Sequence, residues 1–131
     1  MQPLARRPDP VRVVLIDADD RVRESLCGLL CIGDRLAVVG STGELGQAVD
    51  LVLATQPNVV LMDPRLTDVD DGASLIERIR AAAPGVHILV LAAAEPAGDV
   101  ASQPAVAAAD GFVRKTFRPS DLVAAVLAAA S

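Results

Sequence analysis

Four charged residues stand where short apolar runs end. Asp17 closes the run Val11–Ile16 and Asp19 follows two positions on; Asp63 closes Val59–Met62, and Lys115 comes just after Gly111–Arg114. Carboxylates brought together repel and raise one another's pKa unless a cation sits among them. Oxygen donors with room left for water suit Mg²⁺ or Mn²⁺ better than zinc. A lysine beside them can compensate charge or hold an anion such as a phosphoryl group. Asp17 or Asp63 taken singly could equally be a helix-capping aspartate. Only the meeting of all three run ends around one crevice separates a site from that plainer reading.

The rest of the composition narrows the chemistry. The chain has 131 residues, 52% apolar and 22% charged, which is a globular make-up for one compact domain. Seventeen acidic against twelve basic residues leave a net charge of −5, and Phe112 and Phe117 are its two aromatics. A nucleic-acid surface built on basic patches and base stacking does not fit that balance, so no DNA-binding domain is expected. No uncharged apolar run reaches the roughly 18 residues that cross a bilayer, so no membrane contact is expected. Residues 1–10 hold Arg6, Arg7 and three prolines without an apolar core. They read as a flexible tail and not a secretory signal. Cys27 and Cys31 lie four apart in a helical stretch, far in sequence from the one histidine, His87. They make a poor metal site and read as two small buried residues of a cytoplasmic protein.

The elements that must position the charged groups follow from periodicity. Val11–Ile16 is a β-branched run that reads as a buried strand. Asp20 can cap the next helix, whose Val22, Leu26, Leu29 and Leu30 share a face until Gly33-Asp34 breaks it. Residues 36–40 form a second strand; a turn over residues 43–46 leads to a helix carrying Ala48, Leu51, Val52 and Thr55, stopped at Pro57-Asn58. After the third strand, Val59–Met62, a polar loop over residues 67–72 precedes a helix with Leu75, Ile76 and Ile79 inward and Glu77, Arg78 and Arg80 outward. Residues 86–91 give the fourth strand. Pro96, Gly98 and Pro104 interrupt the stretch from Ala92 to Ala109, where any helix is short. Gly111–Arg114 is the fifth strand, and Ser120, with Pro119 before it, caps a last helix running to Ala130.

Five strand–helix repeats with short connections require helical crossovers, hence a parallel sheet covered on both faces. Right-handed crossovers place ligands at the carboxyl ends of the strands, at a topological switch point. The spacing predicts an α/β, flavodoxin-like, doubly wound (βα)5 fold with strand order 2-1-3-4-5. No GxGxxG follows the first strand and no GxxxxGK[ST] occurs anywhere, so a dinucleotide or P-loop site is unsupported.

Three segments carry a resemblance. They are VVLIDADDRVRESL (residues 13–26), VVLMDPRLTDVDDG (59–72) and ADGFVRK (109–115). In this order they resemble the receiver domain of bacterial two-component response regulators, over residues 11–130 and so over the whole domain read as 11–131. The resemblance implies that Asp63 is the phosphoacceptor. It makes Asp17 the first of the family's two acidic residues that hold the divalent ion, Lys115 the lysine on the phosphoryl group, and Phe112 the aromatic that rotates on activation. It implies Mg²⁺ (or Mn²⁺) as cofactor and a sensor histidine kinase as phosphoryl donor. It also implies a downstream protein that reads the face of the fourth helix, fifth strand and last helix. Self-catalysed phosphoryl transfer to Asp63 is then the one reaction, and the chain is otherwise not an enzyme.

The sequence departs from the family at three places. The second acidic position is Ala18, the serine or threonine ending the fourth strand is Ala92, and Thr67 stands where proline is usual. Asp19-Asp20 could pose as the acidic pair, but Val22 and Leu26 keep their family places only with Asp17 first. Asp19 could still reach the metal from the loop. Ala18 removes a direct ligand and predicts weaker Mg²⁺ binding. Ala92 cannot donate to a phosphoryl oxygen, a bond worth about 1.5–3 kcal/mol, so the phosphorylated state would be favoured roughly ten- to a hundredfold less. These losses keep open a second class of function, a pseudo-receiver that binds proteins without phosphorylation. A metal-dependent phosphatase or nucleotide-binding enzyme would need a general acid or nucleotide loop that the sequence lacks. Arg65, two beyond Asp63, stands where family residues influence acyl-phosphate lifetime, or is an exposed loop arginine. His87 reads as structural, and Ser25, Ser41 and Ser74 have no histidine–acid companions for a triad. Leu122, Val123, Val126 and Leu127 of the last helix pack the core and could also supply a homodimer face. With that helix ending the chain, no output domain is expected in it.

Overall fold

The computed structural model describes residues 10–63, 69–92, 109–114 and 118–130. Five strands, β1 (Val11–Ile16), β2 (Leu36–Thr42), β3 (Val59–Met62), β4 (His87–Ala92) and β5 (Gly111–Arg114), form one sheet. Every neighbouring pair is parallel and the order is β2-β1-β3-β4-β5. Four described helices cover it: α1 (Asp20–Leu30), α2 (Leu45–Thr55), α3 (Val69–Ala82) and α4 (Pro119–Ala130). The predicted fold class and strand order are those observed.

Alternation along each strand divides the core in two. Val14, Ile16, Val60, Met62, Ile88 and Val90 point to the face covered by α2 and α3, where they meet Ala48, Val52, Leu75, Ile76 and Ile79. Val13, Leu15, Val59, Leu61, Leu89, Leu91 and Val113 point to the face of α1 and α4 and meet Leu26, Leu30, Leu122, Val123 and Val126. Burial on both faces is why these strands read as near-continuous apolar runs. The edge strand β2 is less regular. Its register against β1 jumps from Val13↔Val38 to Val14↔Gly40. A Cβ on Gly40 would come within 2.6 Å of the Leu51 side chain, so the bare backbone there lets α2 close onto the sheet.

The amino ends of the strands are closed by polar ties. Gln56 sits in the left-handed region (φ 46°) after α2, and its Nε2 donates to the Ala82 carbonyl at the end of α3 (3.0 Å). The Arg12 guanidinium donates to the carbonyls of Gln56 (2.9 Å) and Thr55. Arg80 is half-buried and not outward as expected, because its Nη2 pairs with Asp110 Oδ1 at 3.3 Å. Asp110 Oδ2 in turn accepts the Ile88 N–H (2.7 Å).

Several local expectations need correction. β2 continues past Gly40 to Thr42, because β1 extends alongside it and pairs Leu15 with Ser41 and Ile16 with Thr42. β4 begins at His87 and runs to Ala92, following the partners that β3 and β5 offer. α3 begins at Val69, inside the stretch read as loop. α4 begins at Pro119, which starts the helix as a residue with no N–H to leave unsatisfied; Ser120 is therefore inside the helix and not its cap. Cys27 is half-buried and Cys31, at the C-cap of α1, is exposed, since the buried face of α1 runs through Leu26 and Leu30. Both thiols are free; burial pushes the Cys27 thiol up, against a hydrogen bond with Ser41 that lowers it.

The N-cap of α1 is Asp19, not Asp20. Asp19 has extended backbone (φ −82°, ψ 111°), and its Oδ1 accepts the N–H groups of Arg21 (3.0 Å) and Val22 (3.1 Å). Asp20 is already helical and pairs its exposed carboxylate with Arg23. Asp19→Ala is therefore expected to lower stability by about 1 kcal/mol, as N-cap losses do. Asp20→Ala should lower it by only about 0.2–0.5 kcal/mol, the worth of a surface helical pair. Urea unfolding followed by circular dichroism ranks the two, and equal losses would contradict the cap assignment.

Candidate functional site

Among the described residues three polar side chains are buried: Asp17 (1% exposed), Thr42 (7%) and Asp63 (5%). They lie at or just after the carboxyl ends of β1, β2 and β3, three adjacent strands. Buried carboxylates are costly in a core and accumulate where a site needs them.

The register explains why Asp17 and Asp63 keep company. Ile16 pairs with Met62, so the next residue of each strand leaves the sheet at the same level, on strands about 4.8 Å apart. The Asp63 N–H donates to the Ile16 carbonyl (3.0 Å), which carries the ladder one bond past the strand ends. Here the chain also reverses its course across the sheet. From β1 it crosses to β2 through α1 on one face, and from β3 to β4 through α3 on the other. The connections part above β1 and β3, which makes this end of the sheet the switch point where open α/β sheets bind ligands.

Asp17 is held closely. Its N–H donates to the Thr42 carbonyl (3.1 Å), its Oδ1 accepts the Asp19 N–H (3.0 Å), and its carbonyl accepts from Arg23 Nη1 (2.7 Å). Thr42 Oγ1 accepts the Glu44 N–H (3.1 Å), which shapes the adjoining loop. Ala18, exposed, lines an open crevice of about 410 Å³ with Asp20, Arg23, Thr42, Gly43 and Glu44.

Asp17 and Asp63 supply hard carboxylate oxygens from neighbouring strand ends. That donor set fits Mg²⁺, which keeps several waters and is commonly held by one or two carboxylates together with phosphate oxygens. Among the described residues no three His, Cys, Asp or Glu side chains cluster as a metal cage. Asp19, a candidate third ligand, is exposed and gives Oδ1 to the helix cap.

Lys115, Arg65 and Thr67 lie outside the described residues. The strand leading to Lys115 is in register with its neighbours, Val90 opposite Phe112 and Ala92 opposite Arg114. Phe112 and Ala92 are thus placed on the backbones of β5 and β4. Sequence reasoning missed Thr42 and Arg23. Thr42 fell beyond the predicted end of the second strand, and Arg23 looked like one more helix-surface charge. An arginine one turn after an N-cap, able to reach back to the preceding strand end, was the available signal.

Residues 13–127 match the family described as response regulator receiver domain. The chain is 33% identical over 117 residues to the DNA-binding transcriptional activator DevR/DosR of Mycobacterium tuberculosis, covering 88% of this chain and 52% of that protein. Among solved structures it is similar to the signal receiver domain of the response regulator NarL from Mycobacterium tuberculosis. That match has TM-score 0.78 and 29% identity, covering 94% of this chain and 98% of the other. It is also similar to a LuxR-family two-component response regulator from Aurantimonas sp. SI85-9A1, with TM-score 0.72 and 28% identity, covering 92% and 85%. The chain spans about half the length of the curated relatives it matches. Among the described residues no helix is long and apolar enough to cross a membrane.

Proposed function

Because the chain belongs to the response regulator receiver domain family, we propose that it accepts a phosphoryl group on Asp63 from a sensor histidine kinase and thereby changes the partners it binds. One observation carries this reading: two buried carboxylates, Asp17 and Asp63, leave adjacent strands at the same level beside the switch point of the sheet. An Asp63 carboxylate oxygen attacks phosphorus in line. The new P–O bond forms as the P–N bond to the kinase imidazole breaks, and the electron pair leaves with the imidazole nitrogen. Mg²⁺, when bound, neutralises the phosphoryl oxygens, and Asp17 with Asp63 would hold it. Lys115, by its likeness to the family lysine, contacts the transferred group. Phe112 and the face around β5 then carry the change to a downstream protein or to a second copy of the chain. Residues 11–131 act as this one domain, in the cytoplasm where such kinases signal. Apart from transfer onto its own aspartate, the domain catalyses nothing.

The test uses a small acyl-phosphate donor with Mg²⁺, read by intact-mass measurement, and beryllofluoride with Mg²⁺, read by NMR. The reading expects one added phosphoryl group and shifted resonances around Asp17 and Asp63. Neither signal would appear in a phosphorylation-independent binding module, the reading that Ala18 and Ala92 favour. Mg²⁺ binding should be weak for want of an acid at position 18. Ala18 is exposed on the wall of an open crevice, so a longer side chain fits there. Ala18→Asp is expected to tighten Mg²⁺ about tenfold, near 1.4 kcal/mol, in an NMR titration. An unchanged affinity would remove position 18 from the metal site.

A further inference from the structure

We propose that Arg23 is a positioning residue for the cation site, holding the peptide after Asp17 so that the Asp17 carboxylate stays in its working orientation. This rests on the reading of Asp17 and Asp63 as the metal-holding pair. Arg23 projects from the first full turn of α1, yet its Nη1 reaches back to the Asp17 carbonyl at 2.7 Å, while Nη2 pairs with Asp20 Oδ1. The side chain is only 19% exposed. Its charged N–H bond to the carbonyl is therefore stronger than a neutral one and competes little with water.

The consequence runs through the backbone. The Asp17 carbonyl belongs to the peptide joining Asp17 to Ala18. The N–H of the following peptide, that of Asp19, is the donor on Asp17 Oδ1 (3.0 Å). Only the two soft dihedrals of Ala18 separate the groups. If the guanidinium lets go, the Asp17–Ala18 peptide can rotate and carry the Asp19 N–H away, so that the carboxylate loses this hold on its orientation. With alanine at position 18, that position offers no carboxylate to compensate for a turned Asp17.

A glycine in the loop after β2 leaves room for this contact. A Cβ on Gly43 would lie 2.6 Å from Arg23 Nη1 and 3.2 Å from the Asp17 carbonyl oxygen. Any side chain there must displace the guanidinium or the strand end. Gly43→Ala is thus a second route to the same lost contact with Arg23 still present. The loop after β2 and the first turn of α1 jointly fix the end of β1.

The experiment compares wild type, Arg23→Gln, Arg23→Lys and Gly43→Ala. Mg²⁺ affinity is read by NMR titration, hydrogen exchange of the Asp19 amide in metal-free protein, and global stability by urea unfolding in chelator. Loss of a group that orients a metal ligand weakens metal binding about tenfold or more. Arg23→Gln is expected to lose Mg²⁺ affinity by about tenfold and to speed Asp19 exchange beyond any change in global unfolding. Gly43→Ala should shift both readouts in the same direction, and Arg23→Lys should recover part of each. Wild-type affinity and wild-type Asp19 exchange in Arg23→Gln would overturn the proposal. So would an affinity loss accounted for by global unfolding alone. Should Arg23→Gln not fold, Arg23→Lys and Gly43→Ala decide by the same two readouts. Wild-type protein that binds no Mg²⁺ would refute the cation site instead, while Asp19 exchange in the variants still tests the hold on Asp17.

Discussion

Asp63→Asn should abolish phosphoryl incorporation from an acyl-phosphate donor while leaving the domain folded. Asparagine has the shape of aspartate, and position 63 is 5% exposed at the end of β3, so packing is kept. On the proposed reading, what disappears is the anionic oxygen that would attack phosphorus, while the neighbouring carboxylate, Asp17, stays one strand away with its Oδ1 on the Asp19 N–H. The effect is therefore a loss of the added mass and not a reduced rate. Beryllofluoride, which binds as a phosphoryl mimic on the carboxylate, should fail with it. Stability should move the other way or not at all. Like charges leaving adjacent strands at one level disfavour each other, and removing one relieves that part of their interaction. Metal-free Asp63→Asn is thus expected to unfold at a urea concentration equal to or above that of wild type. Wild-type levels of added phosphoryl in the variant would refute Asp63 as acceptor. A sharp fall in its stability would mean that the carboxylate has a structural role.

The largest stability effect is expected at Leu61. Its side chain is fully buried on β3, the middle strand of the sheet, in the cluster with Leu15, Leu26, Leu89 and Leu122. Leu61→Ala removes atoms from a site walled by β1 and β4 on either side and by helices above, where relaxation can fill little of the gap. Such changes lower stability by about 2–5 kcal/mol. Against a usual total of about 5–15 kcal/mol, that is a large fraction for a domain of this size. Leu53, 53% exposed on α2, is the control, with Leu53→Ala expected within about 0.5 kcal/mol of wild type. The chain has no tryptophan or tyrosine, so unfolding is read by circular dichroism or NMR. A small loss at Leu61 would mean that the sheet collapses onto the cavity and that the two core layers are not independent.

The chain's own order of residues was enough for the parallel five-stranded sheet and for the two buried aspartates. Strand positions buried on both faces must be apolar, so Val13–Ile16 of β1 and all of β3 announce themselves, and the first charged residue after each run marks a carboxyl end. Asp17 and Asp63 are legible for that reason, and the segments around them carry the family likeness as well. The finer placement depended on groups distant along the chain. Asp17, Asp19 and Asp20 stand within four residues at the start of α1; the choice of Asp19 as cap follows from where the backbone turns helical after its bond to Asp17. β2 runs on through Thr42 because β1 lies beside it with free ladder positions, a fact of pairing and not of composition. Cys27 and Cys31 escape full burial because the sheet and α4 take the other side of α1. Arg23 and Gly43, twenty residues apart, acquire a joint role only once α1 and the loop after β2 stand next to each other. Periodicity is a local property and can be read along a chain. Which long side chain meets which carbonyl is settled by packing, when strands that are far apart in sequence become neighbours in space.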